Sequence, residues 1–250
     1  MRVLVVTAVA AEADSVAAGL GRFAGGAVRE MTGGYELTSH AQYMPRPSSV
    51  QIPVVDVLAG GVGPAAAAVA TATALASSPY DPPYDLVISA GIGGGFPHRA
   101  PLGSLVVADS IIAADLGVET PDGYLPVDEL GFGRSVHRPP VELTVRMAKI
   151  LGAEAAAGAV LAPVLTVSTV TGTAARAAEL TARHPRAAAE AMEGFGVAEA
   201  AAVHSVPCVE IRAISNAVGP RDRAAWRIGP ALDSLRTAIT LLTPVFEEPS

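Results

Sequence analysis

Glu12, Glu193 and Asn216 are the polar residues of this sequence whose surroundings call for a chemical explanation. Glu12 follows the apolar run that begins at Val3 and opens a helical stretch in an otherwise apolar neighbourhood. Glu193 lies in "AEAMEGFGVAEAAA" (189–202), between an apolar run and a Gly-flanked helix start, where Met192, Phe195 and Val197 read as buried. Asn216 follows Ser215 near the end of "EIRAISNAVG" (210–219), where an apolar strand breaks into polar residues. An unpaired buried charge is costly, so a carboxylate in such a setting has partners. Three polar groups at the carboxyl ends of strands would meet where open α/β sheets bind ligands. By position alone each also has an ordinary reading. Glu12 suits the positive end of a helix dipole, and Ser215 with Asn216 suits a turn.

Other chemistries lack their residues. Two Gly-rich turns, "LAGGVGP" (58–64) and "SAGIGGGF" (89–96), would let backbone N–H groups approach a ligand closely. Neither is a dinucleotide fingerprint: the sixth position after Gly91 is Phe96, and neither turn belongs to the first strand. No G-x-x-x-x-G-K-[S/T] phosphate loop and no G-x-S-x-G nucleophile turn occur. His40, His98, His137, His184 and His204 show no metal-binding spacing, and Cys208 alone cannot build a thiolate site. Metal catalysis is unsupported, and no cofactor is expected.

The elements that would position these residues alternate along the chain. Short β-branched runs predict strands near 2–7, 53–59, 85–90, 104–112, 164–169 and 207–214. Ala-rich stretches predict helices near 10–20, 64–76, 140–152, 174–183, 195–205 and 228–244. Such alternation implies one open α/β domain spanning residues 1–250, with helices on both faces of the sheet. The stretch 27–52 departs from it, with an edge hairpin around Gly33 and Gly34 followed by a Pro/Ser loop.

Composition narrows the class of partner. Half of the 250 residues are hydrophobic and 16% are charged, which fits a compact protein with a sizeable core. A formal charge of −7 opposes a phosphate backbone, so no nucleic acid is expected. The uncharged windows 57–80 and 155–175 are built mostly of Ala, Gly, Thr, Ser and Pro and carry turn signals, which argues against a membrane span. "MRVLVVTAVAAEAD" could pass for a short signal peptide, but its single Arg2 and minimal apolar stretch favour a first strand. The single cysteine suits a reducing, cytoplasmic setting.

Taken together, "MEGFGVAEAAA" and "PCVEIRAISNAVG" resemble the paired motifs of the nucleoside phosphorylase and nucleosidase superfamily. There a Met-Glu-Gly helix start grips a ribose and a strand end presents Ser-Asp or Ser-Asn to a purine. "VLVVTAVAAEADSV" resembles its first strand, leading to the glutamate that handles water. "LAGGVGPAAAAVAT" and "ISAGIGGGF" fall where the superfamily has its helix-starting glycines and nucleophile loop. The likeness runs from about residue 2 to 245 and implies a three-layer α/β/α sandwich around a mixed central sheet.

It implies roles residue by residue. Glu12 would be the base for water, Glu193 would hydrogen-bond the ribose 2′-hydroxyl, and Asn216 would face the purine. Met192 would pack on the sugar, with Gly91, Gly93, Gly94, Val170, Phe195 and Ser215 also binding substrate. The Arg and Ser set that holds phosphate in phosphorylases is missing, so hydrolysis outranks phosphorolysis. The rivals are a purine nucleoside phosphorylase, a methylthioadenosine/S-adenosylhomocysteine nucleosidase and a silent nucleoside-binding protein. The partners implied are a small-molecule purine nucleoside and further copies of the chain as a homo-oligomer, with no membrane.

Asn216 with "ADLGVE" (114–119), "GFG" (131–133) and "SNAVGPRDRAAW" resembles the branch that releases hypoxanthine from a nucleoside whose sugar carries a carboxylated aromatic arm, in menaquinone biosynthesis. An amide can donate to O6 and accept from a protonated N7, which suits a 6-oxopurine. Arg221 or Arg223 would either meet the substrate carboxylate or pair with Asp222 in solvent. Ala191 and Ile92 depart from the methylthioadenosine enzymes, which have an acidic residue and a Ser there. Water positioning would then rest on Glu12, Glu193 and the N–H groups of Gly93 and Gly94.

Overall fold

The computed structural model describes residues 1–42, 53–79, 83–155 and 158–248. In chain order the first half gives β1 (Arg2–Thr7), α1 (Ala10–Gly19), β2 (Phe23–Glu30), β3 (Glu36–Gln42), β4 (Val54–Ala59), α2 (Pro64–Ala76), β5 (Leu86–Gly95) and β6 (Leu105–Ala113). The second half gives β7 (Gly117–Thr120), β8 (Gly123–Pro126), β9 (Val136–His137), α3 (Val141–Glu154), β10 (Ala159–Thr166), α4 (Ala174–Arg183), β11 (Ala189–Ala191), α5 (Gly194–Val203), β12 (Cys208–Ala217) and α6 (Ile228–Phe246). A short 3-10 turn covers Arg223–Ala225. The Pro/Ser loop expected after the hairpin lies outside the described residues.

One mixed sheet runs in the order β11-β10-β6-β12-β5-β1-β4-β3-β2. Strand β1 pairs in parallel with both β4 and β5, and every one of its residues is buried. Its uninterrupted VLVV run follows from that position, because a strand covered on both faces has no solvent side to make polar. Val3 and Val5 enter the core beneath α1, α3 and α6, while Leu4 and Val6 enter the core beneath α2 and α5. Side chains alternate across the sheet, so one strand supplies both layers. Helix α5 is buried around most of its circumference, consistent with its Gly- and Ala-rich sequence. Helix α6 instead buries one stripe, Ala231, Leu235, Ala238, Ile239 and Leu242, at helical spacing.

The sheet is not open along its whole width. Strand β11 is parallel to β10 and also pairs antiparallel with β5, through Ala189 with Gly95 and Glu190 with Gly94. Strands β5, β12, β6, β10 and β11 therefore form a closed ring, and β1, β4, β3 and β2 extend from it. The expected hairpin around Gly33 and Gly34 is β2–β3, and β3 joins it to the main sheet by pairing antiparallel with β4. No helix among the described residues is long and apolar enough to cross a membrane.

Candidate active site

At the ring, one cavity of about 290 Å³ is lined by residues from β5, β11, β12 and the start of α1. Glu12, Gly93, Gly94, Val170, Met192, Glu193, Ser215 and Asn216 all border it, with Ala8, Val9, Val62, Ile92, Glu190, Ala191 and Trp226. Two predicted residues do not. Gly91 is buried beside Glu12 and Arg212 without lining the cavity, and Phe195 is buried with its ring 5.1 Å from that of His137.

Glu12 sits in the first turn of α1 and is 4% exposed. Its Oε2 accepts hydrogen bonds from the N–H groups of Ala8 (2.9 Å) and Val9 (3.3 Å), and its Oε1 accepts from that of Ile92 (2.8 Å). The N–H that reaches forward from the glycine loop is thus Ile92's, and it holds Glu12. Of about four acceptor positions on a carboxylate, three are taken, which leaves one on Oε1. A β-carbon at residue 91 would lie 2.6 Å from Glu12 Oε1 and 2.7 Å from Arg212 Nη1. Gly91 contributes by having no side chain there.

Glu193 is 6% exposed at the N-cap position of α5. Its Oε1 accepts from the Gly63 N–H (3.2 Å), and its Oε2 accepts from the Met192 N–H (3.3 Å) and lies 3.2 Å from Arg212 Nη1. Gly63 presents that N–H from a backbone at φ +95°, a left-handed conformation that favours glycine. The lone-pair count again leaves one position, here on Oε1.

Asn216 owes its placement to an irregularity in β12. Ile214 opposes Gly93 and Asn216 opposes Gly94, so Ser215 is the extra residue of a β-bulge. Bulges re-aim side chains, and they concentrate beside active sites. The Ser215 hydroxyl lies 2.8 Å from Asn216 Oδ1 and 3.2 Å from the Gly93 carbonyl oxygen, while Asn216 Nδ2 donates to the Ala217 carbonyl (3.1 Å). Each end of the amide keeps capacity for one more partner.

Sequence reading missed the group beneath this floor. Arg212 is 1% exposed, with Nε 2.8 Å from Glu210 Oε1 and Nη2 donating to the Ser89 hydroxyl at 3.0 Å. One guanidinium therefore serves Glu210 and Glu193 together. Burial pushes the Glu210 carboxyl above its ordinary range, against the pull of Arg212. Removing one partner of a buried ion pair costs about 3–5 kcal/mol, so Arg212 secures the floor as well as its shape. A signal was present: two opposite charges at i and i+2 in an apolar strand point to the same face.

At the cavity mouth, the guanidinium carbons of Arg221 and Arg223 stand 5.6 and 5.9 Å from the centre of the Trp226 ring. Asp222 makes no ion pair with them among the described residues. Its carboxylate accepts from the Ala224 N–H (3.0 Å) and caps the 3-10 turn, so the expected solvated charge pair is replaced by stacking on the indole. Among the described residues no group of three or more His, Cys, Asp or Glu is placed to hold a metal ion.

Comparison with known proteins gives this site its family. Residues 49–243 match the model of the phosphorylase superfamily. A futalosine hydrolase from Streptomyces coelicolor is 63% identical over 193 residues, 77% of this chain and 80% of that protein. One from Acidothermus cellulolyticus is 44% identical over 245 residues, 96% of this chain and 89% of that protein. Among solved structures, a 5′-methylthioadenosine/S-adenosylhomocysteine nucleosidase from Colwellia psychrerythraea in complex with adenine superposes with a TM-score of 0.76 at 22% identity, covering 97% of this chain and 95% of its own. The native futalosine hydrolase of Helicobacter pylori gives 0.76 at 15% identity, covering 98% of each chain. At those identities the structures speak for the fold, a nucleosidase-type α/β sandwich, and the curated relatives speak for the family. The chain belongs to the phosphorylase superfamily and, within it, to the futalosine hydrolases.

Proposed function

We propose that this protein cleaves the N-ribosidic bond of futalosine with water, releasing hypoxanthine and dehypoxanthine futalosine, as a step of menaquinone biosynthesis. The observation that carries the reading is the convergence of Glu12, Glu193 and Asn216 on one cavity, each with an unused hydrogen-bonding position. Breaking a ribosyl C–N bond passes through an oxocarbenium-like state, as glycoside hydrolysis does. It calls for a base for water, contacts to the 2′-hydroxyl that strengthen as charge develops, and help for the leaving base.

In this reading Glu12 takes the proton of the attacking water at Oε1. Glu193 accepts a hydrogen bond from the 2′-hydroxyl at its own Oε1, and Met192 packs on the sugar. Asn216 pairs with the purine edge, donating from Nδ2 to O6 and accepting at Oδ1 from N7–H once that nitrogen takes up a proton as the base departs. Ser215 steadies that amide, Gly93, Gly94 and Val170 leave room for the ring, and Phe195 supports the wall from behind. The carboxylated arm leaves past Trp226, where Arg221 and Arg223 supply positive charge.

The whole chain, 1–250, acts in this reading as one domain without a cofactor, in a reducing cytoplasm. It assembles as a homo-oligomer, and the exposed Leu116, Val118, Leu125 and Phe132 on and beyond the β7–β8 hairpin support an apolar interface between copies.

The test is release of free base, followed by chromatography, from futalosine, inosine and methylthioadenosine with and without phosphate. Hypoxanthine should appear from futalosine at a rate that phosphate leaves unchanged. Strict dependence on phosphate, or preferred release of adenine from methylthioadenosine, would overturn the reading.

A further inference from the structure

Glu190 is a second buried carboxylate in the wall of the same cavity, 4% exposed, and the reaction as proposed gives it no task. Its Oε1 accepts from the Thr171 N–H at 2.8 Å and its Oε2 accepts from the Thr171 hydroxyl. No cation pairs with it among the described residues. Burial raises the carboxyl above its ordinary range, and the two bonds from Thr171 pull it back. Two acceptor positions remain, one on each oxygen.

Its position relative to Asn216 is fixed by the ladders. Glu190 on β11 and Asn216 on β12 both oppose Gly94, from the two sides of β5. Their Cα atoms are therefore at most about two strand spacings, some 10 Å, apart. Gly94 between them has no side chain to separate the amide from the carboxylate. A 6-oxopurine carries its N1–H donor next to the O6 acceptor, whereas the N1 of a 6-aminopurine is a bare acceptor. An amide beside a carboxylate matches the first pattern, and the carboxylate repels the second.

Building on the reading above, we propose that Glu190 is a specificity-determining residue that accepts the N1–H of the 6-oxopurine base while Asn216 engages O6 and N7. A buried acceptor built for a donor penalises an analogue that lacks it, since the group is then left unpaired. The competing role is a tie that fixes the segment around Thr171 to β11 and has no preference between bases.

The test compares futalosine with its 6-amino counterpart in wild type, Glu190→Gln and Thr171→Val. Glu190→Gln keeps the size of the side chain and can still bond Thr171, and its amide can donate to a bare N1. We expect kcat/KM on futalosine to fall about 10- to 100-fold, while the 6-amino counterpart is unaffected or improves. Thr171→Val should lower both substrates together. If Glu190→Gln also lowers both together, or leaves their ratio unchanged, the carboxylate is only a tie and the inference fails.

Binding to the wild-type chain gives a readout that needs no variant to fold. Hypoxanthine should bind at least about tenfold more tightly than 1-methylhypoxanthine, and equal affinity would overturn the inference. If the wild type releases no base from futalosine, the proposed reaction fails, and the two binding constants still decide the role of Glu190.

Discussion

A single guanidinium, Arg212, meets Glu210 at 2.8 Å and Glu193 at 3.2 Å beneath the candidate site, and a β-carbon on Gly91 would touch both it and Glu12. Glu12 is held by three backbone N–H groups, and Glu193 by two together with a cation that it shares with Glu210, which leaves either carboxylate little freedom to reorient. Glu12→Gln should lower kcat about 10²-fold or more, because an amide cannot take the proton from water. Glu193→Gln should do the same, measured as initial rates on futalosine. A rate unchanged by Glu12→Gln would favour a silent nucleoside-binding protein. Asn216→Asp should move the kcat/KM ratio toward the 6-amino substrate by about tenfold or more, since a carboxylate accepts from N6–H and cannot donate to O6. Glu12, Glu193 and Asn216 were legible in the sequence because each stands as a polar residue at the edge of an apolar run. For Arg212 the sequence offers only Glu210 on the same strand face and not its link to Glu193, and for Glu190 nothing, because Thr171 reaches it from another segment. Gly91 and Phe195 carry motif positions yet do not line the cavity, a distinction that depends on which way the wall faces.

Strands and helices with strong local patterns lie close to where the sequence puts them. Helix α4 spans Ala174–Arg183 as expected, opened by Thr173, whose hydroxyl accepts from the Arg176 N–H. Strand β10 instead runs from Ala159 to Thr166, several residues earlier than the apolar pattern suggested, because its first half pairs with Leu105–Ala108 of β6. Strand β11 is only three residues long, AEA, with no periodicity to read, and it exists through pairings on both sides. The same tight assembly makes a prediction for α5. A β-carbon at Gly194 would overlap the Glu210 carboxylate, which Arg212 pins in place. Gly194→Ala should therefore cost about 1–3 kcal/mol in stability by thermal or urea unfolding, despite the better helix propensity of alanine. A fall in kcat should accompany it, since the strain falls on the partners of Glu193.

Over the whole molecule, buried titratable groups pull stability in opposite directions with pH. Burial holds His40 and His184 below the ordinary imidazole value of 6.5, so the folded chain binds their protons less readily than the unfolded chain. Their neutral forms favour the fold above 6.5, and that contribution is lost as pH falls through the region below it. Glu190 and Glu210 have raised values, so their contribution runs the other way and is lost as pH rises past the ordinary carboxylate range. The melting temperature of a His40→Gln/His184→Gln protein should fall less than that of the parent between about pH 7.5 and 5.5. Identical slopes would show that neither imidazole is coupled to unfolding.

The ring closed by β11 also orders events during synthesis. Its members span residues 86–217, and β12, between β5 and β6, is the last of them to be made. Until β12 arrives, the nascent chain holds β5 and β6 as unpaired edges on their facing sides, exposed to association with other chains. Joining strands so distant in sequence is a high-contact-order step and a slow one. Because Ser215 and Asn216 lie on that final strand, the leaving-base end of the cavity is assembled in the same event that seals the edges.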